Sequence, residues 1–379
     1  MRSLDTAIDT CDRYHPGLIK SLCDTPLMDR EKPGSKVIAE FRAHGGPGLV
    51  VPADFGGLGA DALDAVRVMR AIGAHSPSLG AAATMHHFTV ATMLALADGT
   101  ARLPERQLAI LRRVGPDALL MSSGWAEGKT EQNILNPSMS AVRADGGYLV
   151  SGSKKPCSMS RSMDLLTLGV TVPGADGAPA LAMMVLPTDS AGITVHPFWS
   201  SDIMAAAESD EVRLDQVFVA DDLVIQSTAE DPLRFDDLQV AGFVWFELLI
   251  TAAYTGAASA LVSRVLERGR GSATDRATLG LRLEAAIGLV EGMARTIRDG
   301  ELSEETIGAT LVTRFAVQQL LVEAAGMAVE LLGGVAFIGS SEIAYLASAV
   351  RPLAFHPPSR TSAAQALADF FAGEPLLLG

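Results

Sequence analysis

The spacing of apolar residues changes twice along this chain, and those two changes limit the folds open to it more than any single motif does. Before about Pro116 apolar residues recur at helical intervals. From there to about Asp231 they sit in short runs of β-type residues, and beyond Asp231 the helical interval returns. In the first third, residues 35–44, 62–73, 78–97 and 104–114 read as helices, with Gly73 as a C-cap. GLVVPADFGGLG (48–59) reads as a strand-like piece followed by a glycine-rich turn. The middle offers short strands at 119–125, 148–152, 165–172, 180–186, 193–196 and 210–219, partly separated by the turn clusters ADGG (144–147) and PGADGAP (173–179). Residues 236–268, 278–298, 303–332 and 340–350 then supply four helices, enough for a bundle. The expected class is α+β: a helical domain over 1–116, a compact antiparallel β domain over 117–230 and a helical bundle over 231–379.

Composition narrows the chemistry. Hydrophobic residues make up 48% of the chain and aromatics only 5%, which favours close packing of small-residue helices. The helix at 236–268 is the extreme case, with Ala252, Ala253, Gly256, Ala257, Ala258 and Ala260. A net charge of −14 argues against nucleic acid as a partner but leaves room for an anionic cofactor held by a few arginines. Cys11, Cys23 and Cys157 have no metal-ligand spacing and read as reduced thiols. The first residues carry acids and lack the apolar stretch of a signal peptide. No uninterrupted apolar run approaches the roughly 20 residues of a membrane span. The expectation is a cytoplasmic protein without a nucleic-acid, metal or membrane partner.

Several segments, in order and at suitable spacing, resemble the acyl-CoA dehydrogenase family. They are GLVVPADFGGLGADALDAVRVMRAIG (48–73), LLMSSGWAE (119–127), GGYLVSGSKK (146–155), SDEVRLDQVFVADDLV (209–224) and VELLGGVAF (329–337). The resemblance implies FAD bound between the middle and C-terminal domains. It also implies a homodimer or homotetramer built on the C-terminal bundle, and oxidation of an acyl thioester on coenzyme A or an acyl carrier protein. The electron acceptor and the acyl chain stay open.

Carried over residue by residue, the resemblance assigns a site with departures. The first flavin-facing strand maps to Trp125, Ala126 and Glu127; the usual hydroxyl is missing at Ala126, leaving backbone N–H groups of Trp125 and Ala126 for the ring, and Gln132 for a phosphate. Trp125 reads equally as an interface anchor. Ser158 keeps the hydroxyl expected near flavin N5, or is a turn serine. Arg268 and Arg270 fall where the family meets the FAD pyrophosphate, and Gly333 and Gly334 where paired glycines lie against the ADP half in a neighbouring subunit. Pro357 occupies the slot of the family's catalytic glutamate, so proton abstraction falls to His356 beside it or to Glu247, the acid alone in VAGFVWFELLI (240–250). The other readings are a turn histidine and an ion pair to Arg264 or Arg314. His87, in TMHHFTVA, reads as a substrate contact or as core.

Three functions fit these residues. The first is FAD-dependent oxidation of an acyl thioester in specialised biosynthesis, with Glu247 as base. The second is a flavin monooxygenase of the same fold, which needs no α-proton base and tolerates Pro357. The third is a degenerate thioester- or partner-binding protein.

Overall fold

The computed structural model describes residues 1–98, 102–129, 137–174, 178–228, 235–300 and 302–378. Seven helices come first: α1 (Arg2–Tyr14), α2 (Leu18–Cys23), α3 (Leu27–Arg30), α4 (Val37–Ala43), α5 (Ala62–His75), α6 (Pro77–Asp98) and α7 (Glu105–Val114). Residues 48–59 form no strand. They fold through two 3-10 turns with Leu49, Val50 and Val51 turned into the core.

Eight strands follow among the described residues: β1 (Met121–Gly124), β2 (Ala141–Ala144), β3 (Gly147–Cys157), β4 (Leu165–Pro173), β5 (Pro179–Pro187), β6 (Ile193–His196), β7 (Asp210–Ala220) and β8 (Val224–Gln226). They make two four-stranded sheets, ordered β1-β4-β5-β8 and β2-β3-β7-β6. Val150, Leu168, Val170, Met184, Val212 and Val217 form their shared core. The sheets are not wholly antiparallel: β1 runs parallel to β4, with Met121 opposite Leu165. A parallel pair requires a long crossover, and here β2 and β3 of the other sheet lie within it.

The last part holds α8 (Asp237–Glu267), α9 (Ala273–Arg298), α10 (Glu304–Leu332), α11 (Gly334–Gly339), α12 (Ser341–Ala349) and α13 (Ala364–Phe371). The three long helices each start at a capping box: Asp236 with Gln239, Ser272 with Asp275, and Ser303 with Thr306. The helical first and last parts share one core, in which α5 and α6 pack on α8. Gly73 does not cap α5, which runs on to His75. A side-chain carbon at Gly73 would lie 2.1 Å from the Ala253 carbonyl oxygen, and one at Gly256 would lie 2.2 Å from that of Arg70. Both glycines exist to let α5 and α8 touch backbone to backbone.

Helices α6, α8 and α10 are long and apolar enough to cross a membrane by length and composition. The small and hydroxyl residues that interrupt each run leave the average hydropathy high. The apolar windows of α6 and α8 are each 83% buried inside the protein, whereas that of α10 is only 33% buried. A buried carboxylate joins the parts: Glu31 accepts from Ser78 N at 2.9 Å, Ser78 Oγ at 2.6 Å, Ser76 Oγ and the Tyr345 hydroxyl. Tyr345 in turn accepts the Met204 N–H at 3.2 Å.

Burial fixes several histidines in the neutral form. His15 and His86 are fully buried, and burial pushes each from 6.5 down to about 4. Their contribution to stability is therefore complete above about pH 6.5 and is lost as the pH falls toward about 4, on the order of 3 kcal/mol for each. Thermal melts at pH 7.5, 6, 5 and 4 should show a falling midpoint over that window. A midpoint unchanged from pH 6.5 to 4 would contradict the assignment.

Candidate active site

The first corner is built where β1 and β3 end. The backbone of Ala126 accepts Lys155 N–H at 2.9 Å, which holds residues 125–127 beside the end of β3. Trp125 is half-buried and lies over Gly169 of β4, where a side-chain carbon would come within 2.5 Å of the indole. Glu127 pairs with fully buried Lys154 at 2.8 Å and takes the N–H groups of Ser138 and Met139 at 3.2 and 3.0 Å. Burial alone would raise its carboxyl, but Lys154, Ser138 and Met139 together hold it at about 2. The pair thus ties residue 127 to β3 and to the backbone at 138 and 139. Sequence reading passed over Lys154, a cation at an inward position of β3 and so a residue in need of a buried partner. Gln132 lies outside the described residues.

Ser158 is 9% exposed, its hydroxyl 3.0 Å from that of Ser209 and its carbonyl accepting from Ser122 Oγ at 2.6 Å. Cys157 beside it is sealed, its thiol pushed up to about 12 by burial, and acts as packing. Three non-glycine residues around this corner are left-handed: Met159 and Met204, each at φ 60°, and Glu208 at φ 54°. Met159 N–H donates to Ala207 O at 2.9 Å and Ser160 N–H to Glu208 O at 3.2 Å, which lock the two segments together. Strain of this kind costs about 1–3 kcal/mol per residue and gathers where a site is over-determined by its surroundings.

The second corner is the slot of the family's glutamate. Glu247, 0% exposed, is bound by Arg314, 1% exposed, at 2.9 Å. The same guanidinium donates to the carbonyls of Leu353 at 2.9 Å, Pro358 at 3.0 Å and His356. Burial pushes the Glu247 carboxyl up to about 7 against the pull of Arg314. Glu247 is thus not an acid open to a cleft, as the base role requires, but the counterion of a buried arginine. His356 is half-buried, with Nε2 3.0 Å from the Tyr254 hydroxyl and its ring edge-on to Phe246. Burial and the nearby Arg314 charge push it down to about 3, so it stays neutral at working pH.

The substrate role of His87 is corrected. It is 0% exposed, edge-on to Phe41 and His86, and neither nitrogen has a partner among the described residues. Its neighbour His86 donates from Nε2 to Pro47 O at 2.9 Å and accepts Met121 N–H at 3.0 Å, which ties the first helices to β1. Both rings serve the core.

A third corner gathers the remaining residues. Arg268 and Arg270 are exposed at the end of α8 and make no ion pair among the described residues. The turn they share packs on the end of α10, since a side-chain carbon at Gly271 would sit 2.7 Å from Leu331. Gly333, at φ 85°, ends α10 there and Gly334 begins α11. Sequence reading also missed an open groove of about 460 Å³ between α10 and residues 354–361, lined by Phe315, Gln318, Ser359, Arg360 and Thr361.

The profile of the acyl-CoA dehydrogenase N-terminal domain matches residues 24–111. The chain is 58% identical over 376 residues to isobutylamine N-hydroxylase of Streptomyces viridifaciens, covering 99% of this chain and 100% of the relative. KijD3, solved with FMN and dTDP-3-amino-2,3,6-trideoxy-4-keto-3-methyl-D-glucose, superposes with a TM-score of 0.81 at 22% identity, over 98% of this chain and 94% of that one. The prolyl acyl carrier protein oxidase AnaB superposes with a TM-score of 0.81 at 17% identity, over 97% and 98%. Its helical–sheet–helical order, its N-terminal domain and its end-to-end identity to that N-hydroxylase agree: the chain belongs to the acyl-CoA dehydrogenase family, as an atypical member.

Proposed function

We propose that this protein is a flavin-dependent N-hydroxylase of primary amines in specialised metabolism. One observation carries the reading: neither position from which the base was expected, that of Pro357 or that of Glu247, presents a carboxylate open to a substrate. Pro357 fills the usual slot, and Glu247 is fully buried with Oε1 paired to Arg314. Oxygen transfer needs no such base, and identity to an amine N-hydroxylase runs the length of the chain. The balance is R–NH2 + O2 + two electrons and two protons from the reduced flavin, giving R–NHOH + H2O. Acyl-thioester oxidation on coenzyme A or a carrier protein, expected first from the sequence, loses its base.

The residues present fit a flavin. Among the described residues the Ser158 hydroxyl is tied only to another hydroxyl, so it can turn to a ring edge. Arg268 and Arg270 are uncommitted cations suited to a pyrophosphate, which favours FAD. When bound, the reduced flavin supplies the electrons that activate oxygen. The family resemblance, which sets Gly333 and Gly334 against the ADP half in a neighbouring subunit, supports a flavin shared across a subunit boundary. The apolar surface of α11 points the same way: Val335 is 90% and Ile338 86% exposed.

Light scattering at micromolar concentration should give a multiple of 39.6 kDa, and Val335→Glu with Ile338→Glu should reduce it. A monomer in the unaltered protein overturns the shared-flavin reading.

With oxygen, isobutylamine and chemically reduced FAD, the protein should form the hydroxylamine. Under anaerobic conditions acyl thioesters should leave bound oxidised flavin unbleached. Bleaching by a thioester, without amine oxidation, restores the dehydrogenase.

Glu247→Gln strands a buried guanidinium and should lower stability by about 3–5 kcal/mol. At a temperature where it stays folded, N-hydroxylation should fall by far less than the roughly hundredfold expected for loss of a general base. A hundredfold loss in the folded variant would return Glu247 to the chemistry.

A further inference from the structure

His356 and its partner Tyr254 form the most constrained polar contact in the Glu247 corner. Tyr254 lies seven residues beyond Glu247 on α8, and seven residues return a helix to within about 20° of the same face. The side chain is 2% exposed, and its hydroxyl has two neighbours: His356 Nε2 at 3.0 Å and Met204 Sδ at 3.5 Å. The main chain around His356 is fixed independently, by Arg314 on the carbonyls of Leu353, His356 and Pro358. The ring is walled by Phe246 at 5.5 Å and by the Tyr254 ring at 5.6 Å. Backbone, ring plane and Nε2 are all held. Nδ1 has no partner among the described residues and is not one of the sealed polar atoms.

That arrangement selects a tautomer. A phenol has one proton to donate, and imidazole nitrogen is a far better acceptor than thioether sulfur. The hydroxyl therefore donates to Nε2, which makes Nε2 the lone-pair nitrogen and leaves the single ring proton of the neutral imidazole on Nδ1. His86 in the same protein holds the opposite tautomer, because there a backbone N–H points at Nδ1 and a carbonyl at Nε2. The difference comes from the partner, not from the ring.

We propose that Tyr254 is a positioning residue that fixes His356 as its Nδ1–H tautomer, so that the ring offers a neutral N–H donor on its open side to the reacting oxygen. The role assigned to that donor rests on the N-hydroxylase reading; the tautomer does not. No proton is consumed from His356. The donor stabilises charge on the oxygen that leaves as water, and a neutral ring neither repels nor competes with a substrate amine.

Two measurements test this. In protein labelled with 15N in its histidine rings, with His356→Gln identifying the resonances, wild-type His356 should show a protonated Nδ1 and an unprotonated Nε2. Tyr254→Phe should lose that fixed pattern. The same variant should lower kcat for amine hydroxylation about tenfold, the scale of one lost hydrogen bond, while KM stays nearly constant. Hydrogen peroxide released per oxygen consumed should rise. A wild-type proton on Nε2 overturns the proposal even if the variant does not fold. Unchanged kcat and unchanged coupling in Tyr254→Phe overturn it equally. If wild-type protein hydroxylates no amine, the functional reading fails, and the tautomer is still decided by the ring spectrum.

Discussion

Arg314 is the constraint on which the C-terminal half turns. It is a full charge in the core, 1% exposed, and a charge there is tolerated only when its donors are matched. At the two terminal nitrogens the match comes from one carboxylate, Glu247 of α8, and from three carbonyls in residues 353–358, while Nε has no partner among the described residues. Those carbonyls are available because two prolines, Pro357 and Pro358, and the 3-10 turn before them keep the segment out of a helix. The arginine therefore does what a regular helix would otherwise do: it gathers backbone oxygens and fixes a loop. It also pairs with Glu247, the acid that the sequence put forward in place of the missing glutamate. One interaction thus both orders the loop and ties down Glu247.

A second buried pair performs the same service at the other end of the site. Lys154 and Glu127 sit where β3 and the end of β1 meet, and Glu127 passes its remaining capacity to the backbone of Ser138 and Met139. Glu31 repeats the pattern a third time, joining the start of α6 to Tyr345 of α12, and through Tyr345 to Met204. Each carboxylate lies between segments far apart in sequence. Each is costly alone and favourable only in the native arrangement, which makes these contacts sharp reporters of correct assembly.

Between these anchors the backbone is forced rather than relaxed. Met159, Met204 and Glu208 keep left-handed angles beside Ser158, and Met204 also lies against the Tyr254 hydroxyl. The short turn at 204–208 thus spans from the His356 contact to the Ser158 contact. A shift at one end would be felt at the other, since the strained residues have little freedom to absorb it.

The sequence by itself determined the order of the elements. Apolar spacing, capping residues such as Asp236 and Ser303, and the turn clusters of the middle third are local signals, and local geometry reads them directly. It also determined the loss of the usual base, because Pro357 has no group that can carry a proton. Tertiary structure alone decided the rest. That Gly73 makes a helix crossing rather than a cap depends on Ala253, far along the chain. That β1 runs parallel to β4 depends on which strand arrives beside it. His87 is core rather than cleft because Phe41 covers it, and Glu247 is paired with a buried guanidinium because folding brings Arg314, 67 residues away, against it. A side chain's type limits what it can do; its protonation state and its partner are set by burial and by residues that only folding brings near.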